Sequence, residues 1–462
     1  MMSMMRTQIP TPRRILIARG DALGDLVLAT VVIRPLRELF PDAEIYFLAR
    51  KEMVPLLMGI PDVAGVIENE LSYAWSWAEL SVFFRLCRQV KALSPDVFLG
   101  LWEKRRYGFL SYIARIPVRI GYAMSWLHRL LYTHVVPVDF SFFFTHQAGY
   151  NLALLGPLMH AFEKKQANLG DGKPYVGCPD QWRADVVSRY PGLQQSYVCV
   201  QVDGSAMQKT WLPETCLSVV RYVAAQHAQV VLMGRPDALR RDYLKAGLAD
   251  VSNVIDLTDQ LSLPDVVAVL SCAQLFVGLD SGFAHLASAF SVPSVVYFVN
   301  RTQNALRWAP LGKSVHLVFA KHTCPDRCVP SVCQKRTCRE GVLLSDMVQA
   351  INVASAGGVA RREDRFRQLT VGVISSHAEK WVSFLHAEGL SGVVVSPDIS
   401  VREMADRLSR ANVMWVILDQ VSYSLSYRLV RVLVSNQVMW PPLFFRVKDV
   451  DEVLCFIAEV SS

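Results

Sequence analysis

Three short segments of this chain set acids, a lysine and small residues at the ends of apolar runs. In Phe276-Val-Gly-Leu-Asp280-Ser281-Gly282-Phe-Ala-His285 an apolar run ends in an acid, a Ser-Gly pair follows, and a histidine comes one turn later. Ser281 and Gly282 fall where a helix begins, so their N–H groups have no intrahelical partner. With the positive end of the helix dipole they form an anion site. Asp280, at the carboxyl end of a strand, is placed to accept hydrogen bonds from sugar hydroxyls. A phosphate joined to a ribose, that is, a nucleotide, suits the combination.

The second segment, Arg19-Gly20-Asp21-Ala-Leu-Gly24-Asp25, joins the first strand to the first helix. It is neither the GxGxxG dinucleotide fingerprint nor the GK[ST] of a P-loop. Its glycines let the backbone turn tightly, and its two carboxylates reach the crevice at the strand's carboxyl end, where open α/β sheets bind ligands. Asp25 could cap the helix or act as a general base. The third segment is Val202-Asp-Gly-Ser205-Ala-Met-Gln-Lys209-Thr-Trp211-Leu-Pro213-Glu214. Ser205 and Lys209 can both reach a diphosphate, the lysine as a compact point charge, although Lys209 taken alone also reads as a surface lysine.

Repeated strand-then-helix units must position these loops. Arg14–Arg19 is a short apolar strand, Leu26–Phe40 a helix stopped by Pro41, and Glu44–Ala49 and Asp96–Leu101 are further strands. The rhythm predicts parallel sheets with helices on both faces. It weakens between Gln166 and Pro191, where Gly, Pro and polar residues cluster, and resumes with strands at 197–202, 229–233, 275–278 and 294–298. After Gly357-Gly358 a third α/β stretch has strands near 371–374, 392–395, 413–418 and 443–447. The expected domains are therefore residues 1–170, 191–355 and 366–462, in keeping with a length of 462 residues.

A hydrophobic content of 52% excludes global disorder. The uncharged stretch Ser281–Asn300 is interrupted by His285 and Pro293, so it reads as a buried helix and strand rather than a membrane span. The N-terminus has no apolar core before a cleavage site, which points to a cytoplasmic location. A net charge of +7 favours an anionic partner. Lys104, Arg105, Arg106, Arg115, Arg119 and Arg129 crowd together with aromatics against the single acid Glu103. A phosphorylated glycolipid at a membrane surface, a single-stranded nucleic acid or a solvated basic face would each account for the mixture. Cys324, Cys328, Cys333 and Cys338 could hold a structural zinc, but they contain no CxxC pair, and a loop with free or paired thiols is the alternative.

Asp21-Ala-Leu-Gly24-Asp25, Lys209-Thr-Trp211-Leu-Pro213 and Asp280-Ser-Gly-Phe-Ala-His285, in this order, resemble glycosyltransferase family 9, the lipopolysaccharide heptosyltransferases. The resemblance covers about residues 13–350. It implies a GT-B fold: two Rossmann-like domains whose parallel sheets face a cleft, here with a small C-terminal α/β domain added. It implies an inverting transfer with no required cofactor, from a nucleotide-sugar donor, ADP-heptose by default, to an anionic glycolipid acceptor, the lipopolysaccharide core. The location implied is peripheral, on the cytoplasmic face of the inner membrane, with no nucleic-acid partner.

Carried over by position, Asp25 would be the base and Lys209 would neutralise the diphosphate, helped by Ser205. Asp280, Ser281, Gly282 and His285 would hold the donor, with Asp237 a further candidate for its ribose. Gly24 and the basic residues Lys104, Arg105 and Arg106 are the candidate acceptor contacts. A catalytically silent nucleotide- or glycan-binding protein, and a transferase using another sugar nucleotide, are the rival readings. The segment Tyr297-Phe-Val-Asn300 replaces a glycine turn usual in the family, and residues 366–462 lie outside the resemblance. They read as a flavodoxin-like or receiver-like accessory domain in which Asp419 lacks the partner acids a phosphoacceptor needs. Asp449-Val-Asp451 reads as structural.

Overall fold

The computed structural model describes residues 9–71, 79–102, 104–136, 146–162, 173–204, 209–298, 307–312, 314–319 and 343–357, and the backbone of four later strands. Among these residues three parallel sheets form. The first comprises β1 (Arg14–Ala18), β2 (Glu44–Ala49), β3 (Val63–Glu68), β4 (Val97–Gly100), β5 (Val118–Tyr122) and β6 (His134–Val136). The second comprises β7 (Val198–Gln201), β8 (Val230–Met233), β9 (Val254–Asp256), β10 (Leu275–Leu279), β11 (Ser294–Phe298) and β12 (Val315–Phe319). The helices around the first sheet are α1 (Leu23–Ala29), α2 (Ile33–Leu39), α3 (Val54–Met58), α4 (Glu79–Leu93), α5 (Arg105–Ile113), α6 (Trp126–Leu131), α7 (Gln147–Ala153) and α8 (Gly156–Ala161). Those that follow are α9 (Asp180–Arg189), α10 (Pro213–Gln226), α11 (Ala238–Gly247), α12 (Leu263–Cys272), α13 (Gly282–Ala289) and α14 (Leu344–Ser355).

The first sheet runs β3-β2-β1-β4-β5-β6 and the second β12-β11-β10-β7-β8-β9. Counted from its own first strand, each has the doubly wound order 3-2-1-4-5-6, which reverses direction between its first and fourth strands and opens a crevice there. Ile15, Leu16, Ile17 and Ala18 are all fully buried, as expected of a central strand covered by helices on both faces. The switch points lie between β1 and β4 and between β7 and β10. The chemistry-bearing segments identified above begin at the carboxyl ends of β1, β7 and β10.

The helix expected over Leu26–Phe40 is divided into α1, a tighter turn at Thr30–Val32, and α2. Thr30 Oγ1 donates back to the Val27 carbonyl at 2.7 Å, which competes with the regular ladder. The same oxygen accepts the Tyr175 N–H at 2.9 Å, tying the segment that leads to the second sheet against the first. Leu26, Val27 and Leu28 of α1 and Ala284, Leu286 and Ala287 of α13 belong to one continuous apolar cluster. The two sheets' helices are thus joined by core, each leucine or valine contributing about 1.5–3 kcal/mol when fully buried.

The third sheet has strands β13 (Thr370–Ile374), β14 (Ser391–Val395), β15 (Trp415–Asp419) and β16 (Leu443–Val447) in the order β14-β13-β15-β16. This 2-1-3-4 arrangement is the flavodoxin-like winding. Asp419 is the last residue of β15, while the Asp449 pair lies outside the described residues.

Candidate functional site

Arg19, the residue immediately after β1, organises the first loop. Its side chain is 3% exposed, and its Nε and Nη2 donate to the two Asp21 carboxylate oxygens, each at 2.6 Å. Nη2 also donates to Asp25 Oδ1 at 2.6 Å, and Nη1 to the carbonyl of Leu101 beyond β4. One guanidinium therefore clamps both switch-point strands and holds two carboxylates. Burial pushes Asp21 up to about 6, opposed by the Arg19 charge and assisted by Asp25.

The cap of α1 is Ala22, so Asp25 stands inside the first turn rather than at the N-cap that its position also allowed. A fifth of the Asp25 side chain (21%) is open. Sequence reading passed over Arg19. The available signal was a cation directly after an apolar strand with acids two and six residues on.

The basic stretch is attached to this loop through Tyr107. A Cβ on Gly20 would lie 2.1 Å from the Tyr107 hydroxyl, which also accepts from Asn69 Nδ2 at 2.8 Å. Lys104 and Arg105 are exposed at the start of α5. Arg106 is buried, with its guanidinium over the Trp102 and Tyr107 rings at 5.5 and 5.8 Å.

On the second sheet, Lys209 Nζ pairs with Asp280 Oδ2 at 2.6 Å, joining the loop after β7 to the loop after β10. Gln201, a buried polar residue ending β7, was also missed. Its Oε1 accepts from Ser281 Oγ at 2.7 Å, and its Nε2 donates to the Asp203 carbonyl at 2.7 Å. Trp211 is a packing residue, fully buried, donating through Nε1 to the Gln201 carbonyl at 2.9 Å and stacked on Tyr297.

Ser281 is the N-cap of α13 and makes no side-chain cap, so Gly282 opens the helix with its first-turn N–H groups unclaimed by that hydroxyl. Asp237 is the N-cap of α11, with Oδ1 accepting the Arg240 N–H at 2.8 Å. Gly234 turns the chain before it at a φ of +134°, where a Cβ would strike Asp203 Oδ1 at 2.1 Å. Ser205 and the four clustered cysteines lie outside the described residues.

The two halves meet at glycines. A Cβ on Gly24 would stand 2.8 Å from His285 Cδ2, and one on Gly282 would stand 2.7 Å from Leu23 Cγ. The starts of α1 and α13 approach this closely because neither glycine carries a side chain. His285 is 4% exposed and its Nδ1 has no hydrogen-bond partner. Burial, with smaller effects of His146 and Lys209, lowers its pKa to about 3, so the imidazole is neutral.

His146 caps α7 and its Nε2 contacts the Ala309 carbonyl at 2.8 Å, a second bridge between the halves. The result is a continuous path from Asp25 through Gly24 and His285 to Lys209 and Asp280. It sets the Asp25 carboxylate on one side and, on the other, the Lys209–Asp280 ion pair and the N-terminus of α13. Among the described residues no group of three or more His, Cys, Asp or Glu could hold a metal ion, and no helix is long and apolar enough to cross a membrane.

Comparison with known proteins agrees with this architecture. Lipopolysaccharide heptosyltransferase 3 of Escherichia coli is 26% identical over 289 residues, covering 60% of this chain and 80% of that protein. A putative glycosyltransferase of Haemophilus influenzae is 24% identical over 324 residues, 66% of this chain and 88% of its own. Among solved structures, the family 9 glycosyl transferase of Veillonella parvula superposes with a TM-score of 0.60 at 17% identity, covering 75% of this chain and 98% of that one. The E. coli ADP-heptose lps heptosyltransferase II does so with a TM-score of 0.59 at 16% identity, covering 74% and 99%. These structures share the GT-B fold of two facing Rossmann-like domains. Residues 83–341 match glycosyltransferase family 9 (heptosyltransferase), more than half the chain, and this protein belongs to that family.

Proposed function

We propose that this glycosyltransferase moves a heptose from ADP-heptose to a lipopolysaccharide-core acceptor, with inversion at the anomeric carbon. The observation that carries the reading is the closure of Gly24 on His285, which sets the Asp25 loop against the Lys209–Asp280 pair. In this reading residues 1–170 take the acceptor, residues 191–355 take the donor, and residues 366–462 are accessory. The heptosyltransferase relatives support the sugar, and the likeness to the E. coli ADP-heptose lps heptosyltransferase II supports ADP as its carrier.

The acceptor hydroxyl attacks the anomeric carbon as the bond to the diphosphate oxygen breaks, and its proton passes to Asp25. Arg19 holds and aims Asp25, and Gly24 lets the loop that carries it close on His285. Lys209 and the N-terminus of α13, through Ser281 and Gly282, take the charge that develops on the departing diphosphate, with Ser205 assisting. Asp280 accepts from the ribose hydroxyls once the phosphates draw Lys209 away, and Asp237, on the loop after β8, is a further candidate for the ribose. His285, neutral, contacts the sugar or the adjoining phosphate without adding charge. Lys104 and Arg105 meet the anionic core, with Arg106 supporting them from beneath. The acceptor is met at the cytoplasmic face of the inner membrane, without nucleic acid and without a required metal.

Asp25→Asn tests the base. It should abolish transfer while leaving the thermal shift induced by ADP unchanged, and transfer at the wild-type rate would refute the assignment. A panel of ADP, UDP and GDP tests the carrier. ADP at a hundred times its dissociation constant should add about 2.7 kcal/mol of stability. A UDP- or GDP-selective shift would instead support another sugar nucleotide, and ADP binding without transfer to any core acceptor would support the silent alternative.

A further inference from the structure

Helices α5 and α6 present an apolar surface to solvent. On α5 the exposed positions Arg105, Phe109, Tyr112 and Ile113 recur at helical spacing along one face. On α6 Trp126 is 73% exposed and Leu130, one turn on, is 63% exposed. Both helices cover the same face of the first sheet, over the cluster containing Tyr107, Leu110 and Tyr132. Gly108 of α5 sits against Leu131 of α6, where a Cβ would be 3.0 Å from it, so the two outward faces adjoin.

Charge limits what could cover this surface. From Lys104 to Val136 the chain has six Lys and Arg residues and no acid. Arg115 and Arg129 are exposed at the edges of the apolar stripe. A water-soluble glycan needs no leucine, and a nucleic-acid base gains nothing by stacking on Ile113 or Leu130, which have no π face. An apolar centre with Arg115 and Arg129 at its edge fits a bilayer interface rich in anionic lipid, where Trp and Leu enter the headgroup boundary and Arg meets phosphate.

We propose that the α5–α6 face docks this protein on an anionic bilayer, with Trp126 and Leu130 inserting and Arg115 and Arg129 at the headgroups. This deepens the reading of a membrane-borne acceptor and rests on it. Because Tyr107 ties α5 to the Gly20 loop, docking through this face brings the acceptor side of the cleft to the lipid surface.

Co-sedimentation of the full chain with vesicles of phosphatidylcholine, with or without phosphatidylglycerol, tests the proposal. Wild type should pellet with the anionic vesicles, and less so at raised salt. The exposed double substitution Trp126→Ser/Leu130→Ser should lower that partition by about tenfold or more. Arg115→Gln/Arg129→Gln should remove the preference for anionic lipid. Both variants should keep the ADP-induced thermal shift, which separates loss of docking from loss of fold or of donor binding. Vesicle binding by the Trp126/Leu130 variant equal to wild type would overturn the assignment of this face while leaving the transferase reading intact. Wild type that pellets with neither vesicle, or that is held on single-stranded RNA through these same residues, would overturn the membrane proposal itself.

Discussion

The neutral His285 makes stability depend on pH in a way that one substitution isolates. The folded protein holds this imidazole at a pKa of about 3 because burial penalises its charged form, while the unfolded chain titrates near 6.5. Below pH 6.5 the unfolded chain therefore takes up a proton that the folded chain refuses, and stability falls with pH until the folded pKa is reached. At pH 5 the unfolded histidine is almost fully protonated, which favours unfolding by about 2 kcal/mol relative to pH 7.5.

Asp21 acts in the opposite sense. Its folded pKa of about 6 stands above the ordinary carboxylate value of 3.8. Its protonated form therefore lends stability that is complete below about pH 4 and is lost as pH rises through 6. That contribution is common to wild type and variant and cancels in their difference. Urea unfolding of wild type and His285→Gln at pH 7.5 and pH 5 reads the difference directly. Wild type should lose about 2 kcal/mol more than the variant over this interval. Equal losses in the two proteins would refute the buried neutral histidine.

Gly24→Ala places a methyl against the fully packed His285 and should cost about 1–3 kcal/mol along with most of the transfer rate. Gly156→Ala, in α8 with nothing within 4 Å, is the control and should be neutral or slightly stabilising in the same thermal melts. Arg19→Met leaves Asp21 and Asp25 without their shared cation and should cost about 3–5 kcal/mol in chemical denaturation. The same change should move the pH profile of transfer upward, since both acids then hold their protons more tightly; an unmoved profile would remove Arg19 from control of Asp25. Lys209→Met strands the Asp280 carboxylate, which is only 9% exposed, and should lower stability by about 1–3 kcal/mol. It should also shrink the thermal shift given by ADP, and a full-sized shift would exclude Lys209 from the diphosphate.

The strands that carry the candidate loops were legible as short apolar runs ending in small or acidic residues, whereas β3, β5, β6, β9 and β12 were not anticipated. Glu44–Ala49 and Ser294–Phe298 have the same limits in sequence and structure. The helix expected from Leu26 to Phe40 was continuous in pattern, but hydropathy does not register the hydroxyl of Thr30 turning back on Val27. Asp25, Lys209, Asp280 and His285 could be singled out as candidates because residue type and spacing after a strand report local geometry, which is a property of neighbouring residues.

The sequence by itself determined the strand-loop-helix units, the family resemblance and the loops that carry acid and lysine. Only the tertiary structure decided that one arginine holds both carboxylates, that Gln201 bridges two strand ends, and that Gly24 and Gly282 let α1 and α13 touch. Those contacts join residues up to about 260 positions apart, from Gly24 to His285, and no local pattern records which distant side chain will fill a given space. The fate of the aromatics was settled in the same way. Trp211 went into the core and Trp126 to the surface, because burial is fixed by which face of a helix or loop meets the sheet once the sheet exists.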